Sequence, residues 1–377
     1  MRPIRIALVT RRFPPLIGGA ERVLAYLAEA LAEAGAEVTV LTSRLGGLPA
    51  EGQVGGARVV RLETSTLRFL GTLRYMAGLR RRLRAHPVDL AYVSMLKHDA
   101  HAVVGVGRSL GFPVVLRPEG AGATGDVAWQ AWGRGGRSIA RRCRKADAFV
   151  AISPAVRAEL VGAGYPGPRV VDLPNGVPIP DRPWRPRPGW SRAPRAAFVG
   201  RLAAEKGLRS LIAAWPIVRE TFPEATLVLV GDGPERPAIE AEVARLDLDR
   251  SIFLPGATAR PGAILRGSDL FVLPSREEGM SLALLEAMAL GIPLVASAIP
   301  GNLALIDDGT HGATAPPDDP VSLARAIVAR WSGFDASVAQ GLAARSRVLD
   351  RYSIAAVARV HLDLFRELIG RRGHPLG

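Results

Sequence analysis

The sequence is poor in cysteine, poor in acidic residues relative to basic ones, and free of long apolar runs. Cys143 is the only cysteine in 377 residues, which excludes an internal disulfide and gives little support to a metal cluster or a cysteine-histidine pair. The apolar stretch near the amino terminus, Ile4–Val9, is short and is soon followed by Arg11 and Arg12. No run reaches the roughly 20 residues of a membrane span. We therefore expect a globular cytoplasmic protein without a signal peptide or a span.

The shortage of acidic residues leaves a strongly basic chain. There are 49 lysines and arginines against 35 acidic residues, a formal net charge of +14. Such a charge favours anionic partners, among them nucleotides, phospholipid headgroups and nucleic acid. The basic residues are dispersed rather than interleaved with aromatic ones, and no nucleic-acid-binding motif is recognised. A basic nucleic-acid-binding or scaffold protein is thus an alternative with weak support, and no nucleic-acid partner is expected.

Length and patterning predict two α/β domains. A chain of 377 residues with 48% hydrophobic residues is long enough for two separate cores. Apolar strands alternate with segments of helical spacing, beginning with Ile4–Val9, a helix over Ala20–Ala34 and a strand over Val38–Leu41. This alternation predicts a doubly wound parallel sheet. A second series begins with a strand over Ala196–Val199, after a segment rich in proline, arginine and tryptophan.

The stretch from Ser275 to Pro300 predicts a loop, a helix and a buried strand. Ser281 is a good N-cap, Leu282–Leu290 has the apolar spacing of a packed helix, and Gly291 ends it. Glu278 lies in the loop and Glu286 about one turn into the helix. Their carboxylates suit the adjacent hydroxyls of a sugar, and the free N–H groups at the helix start suit a phosphate. By themselves, two glutamates of this kind are more often solvated surface charges.

A second segment, Gly200 to Gly207, supplies cations after a predicted strand. Arg201 can donate two hydrogen bonds to phosphate oxygens, and Lys206 adds a compact charge within reach of the same site. Together they can balance a diphosphate leaving group. In a chain so rich in arginine, an exposed Arg and Lys would also be unremarkable.

These two segments closely resemble the donor-binding signatures of glycosyltransferase family 4. The resemblance covers nearly the whole chain and is most specific from Phe198 to Ala315. It implies a GT-B fold, with two Rossmann-like doubly wound parallel-sheet domains facing a central cleft. It also implies transfer of a sugar from a nucleoside-diphosphate donor with retention at the anomeric carbon, without a metal or another cofactor.

The resemblance assigns roles to individual residues. Arg201 and Lys206 are expected to hold the diphosphate, Glu286 the ribose, and Glu278 the transferred sugar. The remaining donor-binding residues expected in the second domain are Gly231, Gly233, Leu254, Gly279, Met280, Ser281 and Leu282.

In the first domain the expected site residues lie in loops after strands. Gly18 and Gly19, in the loop Pro14 to Glu21, are expected beside the donor phosphates and the acceptor. His98, in the loop after the strand Val88–Val93, is expected to contact the donor sugar, with His101 as its rival. Residues expected on the acceptor side are Glu119, Gly120 and Asp126. Trp129 and Trp132 favour sugar stacking, a lipid interface or core packing about equally.

The resemblance also divides the chain. We expect an acceptor-side domain over residues 1–174, an exposed linker or hinge over 175–195, a nucleotide-sugar-binding domain over 196–352, and a helix over 353–377 that crosses back to the first domain. In that helix Val357, Leu362, Phe365 and Leu368 are expected to pack on the first domain.

A basic amphipathic segment, Leu67 to Arg84, raises the possibility of peripheral membrane attachment. Its leucines and Met76 are predicted to lie near one face, either covering the sheet or facing lipid. The arginines predicted to attract an anionic surface are Arg68, Arg74, Arg80, Arg81, Arg82 and Arg84.

Several matters stay open at this level. A GT-B sugar-nucleotide epimerase is an alternative to the transferase, although the combination of Arg201, Lys206, Glu278 and Glu286 argues against it. The acceptor is a glycan, a lipid-linked sugar or a small molecule, as in envelope or exopolysaccharide synthesis. The nucleotide, the sugar and the oligomeric state do not follow from the sequence.

Overall fold

The computed structural model describes residues 2–16, 18–65 and 67–373. Ile17, in the first glycine-containing loop, lies outside the described residues, and so does the side chain of Arg68. The chain divides into two compact units. Of the described residues, the first holds 2–16, 20–176 and 354–373, and the second holds 18–19 and 177–353.

The first unit is built on an eight-stranded sheet with the order β3-β4-β2-β1-β5-β6-β7-β8, in which only the pairing of β3 with β4 is antiparallel. The strands are β1 Arg5–Val9, β2 Glu37–Ser43, β3 Glu51–Val54, β4 Ala57–Leu62, β5 Leu90–Ser94, β6 Val114–Arg117, β7 Ala148–Ala151 and β8 Val170–Asp172. The helices between them are α1 Gly19–Glu33, α2 Arg68–Ala85, α3 His98–Leu110, α4 Asp126–Trp132, α5 Gly136–Cys143 and α6 Pro154–Gly162.

The second unit has a six-stranded parallel sheet with the order β11-β10-β9-β12-β13-β14. Its strands are β9 Arg195–Val199, β10 Thr226–Val230, β11 Ile252–Gly256, β12 Leu270–Leu273, β13 Leu294–Ser297 and β14 Ala313–Ala315. Its helices are α7 Leu208–Thr221, α8 Arg236–Arg245, α9 Pro261–Arg266, α10 Leu282–Leu290, α11 Pro300–Leu303, α12 Pro320–Ser332 and α13 Phe334–Arg351. Two parallel-sheet α/β domains were predicted, and this prediction is confirmed.

The last helix, α14 Ile354–Arg371, belongs to the first unit. Val357, Leu362, Phe365 and Leu368, the side chains predicted to pack there, are all buried. The Phe365 ring lies 5.8 Å from the ring of Tyr92 on β5. The crossing is thus fixed by apolar burial against the central strands of the first sheet.

The proline-rich segment before β9 is mostly exposed, but Trp184 ties it to the second unit. Trp184 is only 5% exposed, its backbone N–H donates to the carbonyl of Leu290, and its indole Nε1 donates to the carbonyl of Ser268. Residues 177–195 accordingly belong to the second unit. Burial of the Trp184 indole is favourable because its N–H is hydrogen-bonded. This burial holds in place a segment that prolines alone would leave extended.

Helix α2 also differs from the predicted single apolar face. Met76, Leu79 and Leu83 are buried, whereas Leu67, Leu70 and Leu73 are exposed. Residues spaced by three fall short of the roughly 3.6 residues of a helical turn, so a stripe at that spacing winds around the helix. Of the helices that the structure describes, none is both long enough and apolar enough to span a bilayer.

Candidate active site

In the second unit, the loop after β12 leads directly into α10. The Ser281 hydroxyl caps this helix by accepting a hydrogen bond from the N–H of Leu284 at 3.4 Å, as predicted. Gly291 ends the helix in the left-handed conformation with φ of 80°. Met280 and Leu282 are buried, and Gly279 is half-buried. The apolar side chains anchor the helix start, so its first N–H groups are held at the carboxyl end of the sheet.

Lys206 and Glu278 meet at this place. The Lys206 ammonium donates a hydrogen bond of 2.7 Å to Oε1 of Glu278, and the Ser275 hydroxyl donates to the same oxygen at 2.8 Å. Only 19% of the Lys206 side chain and 9% of the Glu278 side chain are exposed. The two residues follow β9 and β12, which are neighbours in the sheet, so parallel topology brings them together.

Arg201 has its own carboxylate partner. Its guanidinium donates to Oε1 of Glu205 at 2.5 Å, and the Arg201 side chain is 63% exposed. The Arg201 guanidinium holds the pKa of Glu205 below its ordinary value, against the opposing effect of burial. Both predicted phosphate-binding cations therefore stand next to a carboxylate in the structure.

The glycine-rich turn after β10 packs on the Arg201 loop. Gly231 has φ of 148°, and a Cβ there would overlap the carbonyl oxygen of Gly200, while a Cβ at Gly233 would overlap that of Leu202. The N–H of Leu202 donates to the carbonyl of Asp232 at 3.0 Å. The two predicted glycines thus allow a close approach that sets the path of the cation-bearing loop.

The other predicted residues of the second unit lie in separate elements. Glu286 is half-buried in the second turn of α10. Leu254 lies in β11, and its carbonyl accepts a hydrogen bond of 3.0 Å from Arg236.

The remaining predicted residues follow β1, β5 and β6, which are adjacent strands of the first sheet. Gly19 begins α1, and a Cβ at this position would meet no atom within 4 Å. Gly18 precedes it directly. The carboxyl end of this sheet therefore leaves open space at the glycine turn.

His98 begins α3, and its ring lies 5.5 Å from the Trp129 ring in an edge-on arrangement. Burial, together with Arg11 and Lys97, lowers the pKa of His98. The pKa of His101 is lowered as well, by burial and by Arg142 and Arg80. Both imidazoles are thus shifted towards the neutral form.

Glu119, which is half-buried, and Asp126, which is buried, form a polar cluster after β6. The Ser94 hydroxyl donates to Oε1 of Glu119, and the Glu119 N–H donates to Oδ2 of Asp126 at 2.9 Å. Lys97 lies 3.6 Å from Oδ1 of Asp126. Burial raises the pKa of both carboxyls. Arg117 opposes the rise at both of them, and Lys97 opposes it at Asp126. Gly120 is half-buried in the same loop.

A backbone outlier lies at the same edge. Met95, directly after Ser94, has φ of 75°, a backbone conformation that residues other than glycine rarely adopt. Strain of this kind is concentrated at functional sites. The position supports a functional role for this end of the first sheet.

Several residues of these clusters were not predicted: Ser94, Lys97, Glu205, Ser275 and Gly301. Gly301 lies so close to the Glu278 carbonyl that a Cβ would overlap it. Ser275, Glu205 and Gly301 lie inside or beside the donor signatures, and this position could have indicated a role for them in the site. For Ser94, at the end of β5, and Lys97, just after it, only this position could have indicated a role.

Two family models match the chain. Residues 17–181 match the model described as "Glycosyltransferase Family 4", and residues 193–332 match the model described as "Glycosyl transferases group 1". The matches extend over both parallel-sheet units. The chain belongs to glycosyltransferase family 4. It is a glycosyltransferase, as the resemblance of its donor signatures predicted.

Curated relatives of this family 4 chain cover nearly its full length. It is 27% identical over 98% of its length, and 96% of the relative, to "Glycogen synthase" of Mycobacterium tuberculosis. It is 26% identical over 92% of its length, and 94% of the relative, to "GDP-mannose-dependent alpha-(1-6)-phosphatidylinositol monomannoside mannosyltransferase" of Mycolicibacterium smegmatis.

Solved structures establish the fold of this glycosyltransferase. Sucrose-phosphate synthase from Thermosynechococcus elongatus aligns with a TM-score of 0.84 and 22% identity, over 98% of this chain and 100% of the other. HepE of Anabaena in complex with UDP and glucose aligns with a TM-score of 0.80 and 20% identity, over 96% of this chain and 99% of the other. The predicted GT-B fold is confirmed.

Proposed function

We propose that this glycosyltransferase moves a sugar from a nucleoside-diphosphate donor to a hydroxyl acceptor with retention at the anomeric carbon. The observation that carries the proposal is the contact of Lys206 with Glu278 at 2.7 Å, beside the start of α10. A cation for phosphate and a carboxylate for sugar hydroxyls are adjacent there. This is the order of groups in a nucleotide sugar.

The donor would replace the internal partners of these residues. Its phosphates would take Lys206 from Glu278 and Arg201 from Glu205, and they would accept hydrogen bonds from the N–H groups at the start of α10. Glu278 would then be available for the hydroxyls of the transferred sugar. Glu286 would bind the ribose. The groups assigned to the rest of the nucleotide and its phosphates are Gly231, Gly233, Leu254, Gly279, Met280, Ser281, Leu282, Gly18 and Gly19.

The reaction breaks the bond between the anomeric carbon and the β-phosphate oxygen and forms a bond from that carbon to the acceptor oxygen. The acceptor proton goes to the departing phosphate, on the same face of the sugar, which gives retention. Arg201 and Lys206 stabilise the negative charge that develops on the diphosphate. The positive charge that another enzyme would take from a divalent ion is supplied here by side chains, so we infer that no metal is needed.

The acceptor groups would come from the first unit. Glu119, Gly120 and Asp126 offer carboxylate oxygens and a small residue at the carboxyl end of its sheet, and His98 would contact the donor sugar. The relatives carry names that include a glycogen synthase and a phosphatidylinositol monomannoside mannosyltransferase. We therefore propose a glycan or lipid-linked acceptor, in polysaccharide or envelope synthesis, for a cytoplasmic enzyme.

A donor panel tests the proposal. The purified chain is incubated with UDP-, GDP- and ADP-sugars while thermal shift and release of nucleoside diphosphate are measured, with and without EDTA. We expect one donor class to stabilise the protein and to be hydrolysed or transferred equally in both conditions. NMR of the product should show the anomeric configuration of the donor.

Other outcomes contradict the proposal in distinct ways. Conversion of the nucleotide sugar to its epimer without release of diphosphate would indicate an epimerase. Binding of oligonucleotides with no response to any nucleotide sugar would indicate a nucleic-acid-binding protein. Inverted product configuration or loss of turnover in EDTA would overturn retention or metal independence.

A further inference from the structure

Helix α4 presents an exposed tryptophan at the end of a series of packed rings. Trp132 is 72% exposed, although burial of an indole is usually favourable. Its ring lies 6.3 Å from that of Trp129, and Trp129 in turn lies 5.5 Å from His98. The rings therefore lead stepwise from the carboxyl end of the first sheet to an open indole face.

Trp129 is held firmly in this series. A Cβ at Gly133 would come within 2.5 Å of the Trp129 ring, so only glycine lets the backbone lie against the indole. The Lys97 ammonium lies 5.5 Å from the centre of the same ring. Trp132 thus rests against a fixed neighbour, so its side chain loses little conformational entropy when a ligand binds to its outer face.

The first residue of α4 ties this helix to the proposed acceptor groups. Asp126 is buried and accepts the Glu119 N–H at 2.9 Å, while Lys97 contacts both Asp126, at 3.6 Å, and Trp129. The helix that positions Glu119 is therefore the helix that carries Trp132. A ligand whose reacting hydroxyl is near Glu119 would extend towards the exposed indole.

We propose that Trp132 is a stacking platform for a second sugar ring of an extended acceptor. This inference rests on the proposed function and deepens it: the acceptor is an oligosaccharide or a glycoside of at least two rings rather than a single free sugar. The apolar face of one pyranose ring covers the indole. The neighbouring ring presents its hydroxyl to the Glu119 and Asp126 cluster.

A sugar fits this surface better than a lipid does. Among residues 111–160, all of which the structure describes, Trp132 is the only large apolar side chain that is exposed. The residues that follow it along the chain include the glycines at 133, 135 and 136 and the exposed Arg137. A lipid contact gains from several clustered apolar side chains, whereas one flat ring among polar donors suits a sugar with an apolar face and hydroxyl edges.

The test compares acceptors of increasing length. Wild type, Trp132→Ala, Trp132→Phe and the control Leu110→Ala are assayed with an active donor and a panel of glycosides, each offered as mono-, di- and trisaccharide. Leu110 is an exposed apolar residue at the far end of α3. We expect wild type and Leu110→Ala to prefer the longer acceptors, with a KM about tenfold lower than for the monosaccharide.

In Trp132→Ala this tenfold preference, equivalent to about 1.4 kcal/mol, should disappear, and Trp132→Phe should retain most of it because the ring remains. A length preference in Trp132→Ala equal to that of wild type would overturn the inference. So would a wild type that shows no preference. Weaker binding of Trp132→Ala to phosphatidylglycerol vesicles, with an intact length preference, would assign the indole to lipid instead. If wild type neither hydrolyses nor transfers any nucleotide sugar, the proposed function itself fails.

Discussion

At the scale of single residues, each of the two cations proposed to bind the donor phosphates is paired with a carboxylate. Lys206 is held by Glu278 and Arg201 by Glu205, each over a short contact. The largely buried pair would be costly to break without a replacement, because an unpaired charge would be left in a poorly hydrated place. An anionic, hydroxyl-bearing ligand replaces both partners at once. The pairing therefore favours exchange with a nucleotide sugar over binding of a simple anion.

Removing either cation should impair turnover more than folding. We expect Lys206→Ala and Arg201→Ala each to lower turnover by roughly 10²-fold, because each removes a preorganised charge from the leaving diphosphate. The measurement is kcat with the donor found in the panel, with circular dichroism melting to monitor the fold. Arg209→Ala is the matched control, since Arg209 is an exposed cation paired with Glu235 on the same unit. Normal turnover in the Lys206→Ala/Arg201→Ala double variant would remove the proposed phosphate site.

At the scale of elements, two helices begin with the same dipeptide and differ in their surroundings. Pro300-Gly301 begins α11 and Pro261-Gly262 begins α9. A Cβ at residue 301 would overlap the carbonyl of Glu278, whereas one at residue 262 would meet no atom within 4 Å. The short helix α11 thus supports the backbone of Glu278, the glutamate proposed to bind the transferred sugar.

Alanine at these two glycines should separate support of the site from helix formation. We expect Gly301→Ala to lower transfer by about 10²-fold, because a displacement of about 1 Å at a reacting group has effects of this size. Gly262→Ala should leave kcat and the melting temperature near those of wild type. Both variants are compared by kcat and by thermal melting. Equal activity of the two variants would show that α11 does not position Glu278.

Two buried titratable groups in helices of the first unit act in opposite directions. Burial lowers the pKa of His361 in α14 to about 4, and burial raises the pKa of Asp99 in α3 to about 6. Because the pKa of His361 is lower in the folded chain than in the unfolded chain, the unfolded chain binds the proton more readily. The contribution of His361 to stability is therefore lost as pH falls from about 6.5 to 4. The raised pKa of Asp99 means that the folded chain binds this proton more readily than the unfolded chain does. The contribution of Asp99 to stability is therefore lost as pH rises from about 4 through 6.

Variants at the two positions should therefore change the pH dependence of the free energy of unfolding in opposite directions. Relative to wild type, His361→Asn should show a free energy of unfolding that rises as pH is lowered from 6.5 to 4, and Asp99→Asn one that falls. Urea titrations at several pH values, with unfolding monitored by far-UV circular dichroism, provide the comparison. Parallel curves for wild type and both variants would contradict the two pKa shifts.

At the scale of the whole molecule, we predict peripheral attachment to an anionic membrane from the net charge of +14 and the outer face of α2. Leu67, Leu70 and Leu73 are exposed near its start, and Arg81 and Arg84 are exposed towards its end. Apolar and cationic side chains on one exposed face are typical of helices that lie in a lipid interface. A lipid-linked acceptor would be reached from such a position.

Charge removal on α2 should weaken binding to anionic vesicles. Each arginine near such a surface contributes about 1 kcal/mol, so Arg81→Ser with Arg84→Ser should lower partitioning by about tenfold or more. Sedimentation with phosphatidylglycerol-containing vesicles at low and high salt measures this. The control, Arg325→Ser with Arg351→Ser, removes the same charge from exposed positions on α12 and α13 of the second unit. Equal partitioning of the two double variants would assign any binding to net charge alone.

Local sequence determined much of the fold and of the donor site. The alternation of apolar strands with helical segments predicted two parallel sheets, and Ser281 and Gly291 marked the ends of α10 where the structure has them. Such features depend on spacing, capping and backbone preference within one segment. The sequence assigned Lys206 and Glu278 to one site because both lie in segments that resemble the family's donor signatures, but their direct contact at 2.7 Å came from the structure.

Only the tertiary structure decided what depends on packing between distant segments. The sequence could not show that Trp184 is buried while Trp132 is exposed, since both are tryptophans among prolines, glycines and arginines. Nor could it divide the leucines of α2 into an inner and an outer set, or place Gly301 against Glu278. Burial and close approach depend on which surface lies opposite a residue. That surface comes from another part of the chain, which no local pattern records.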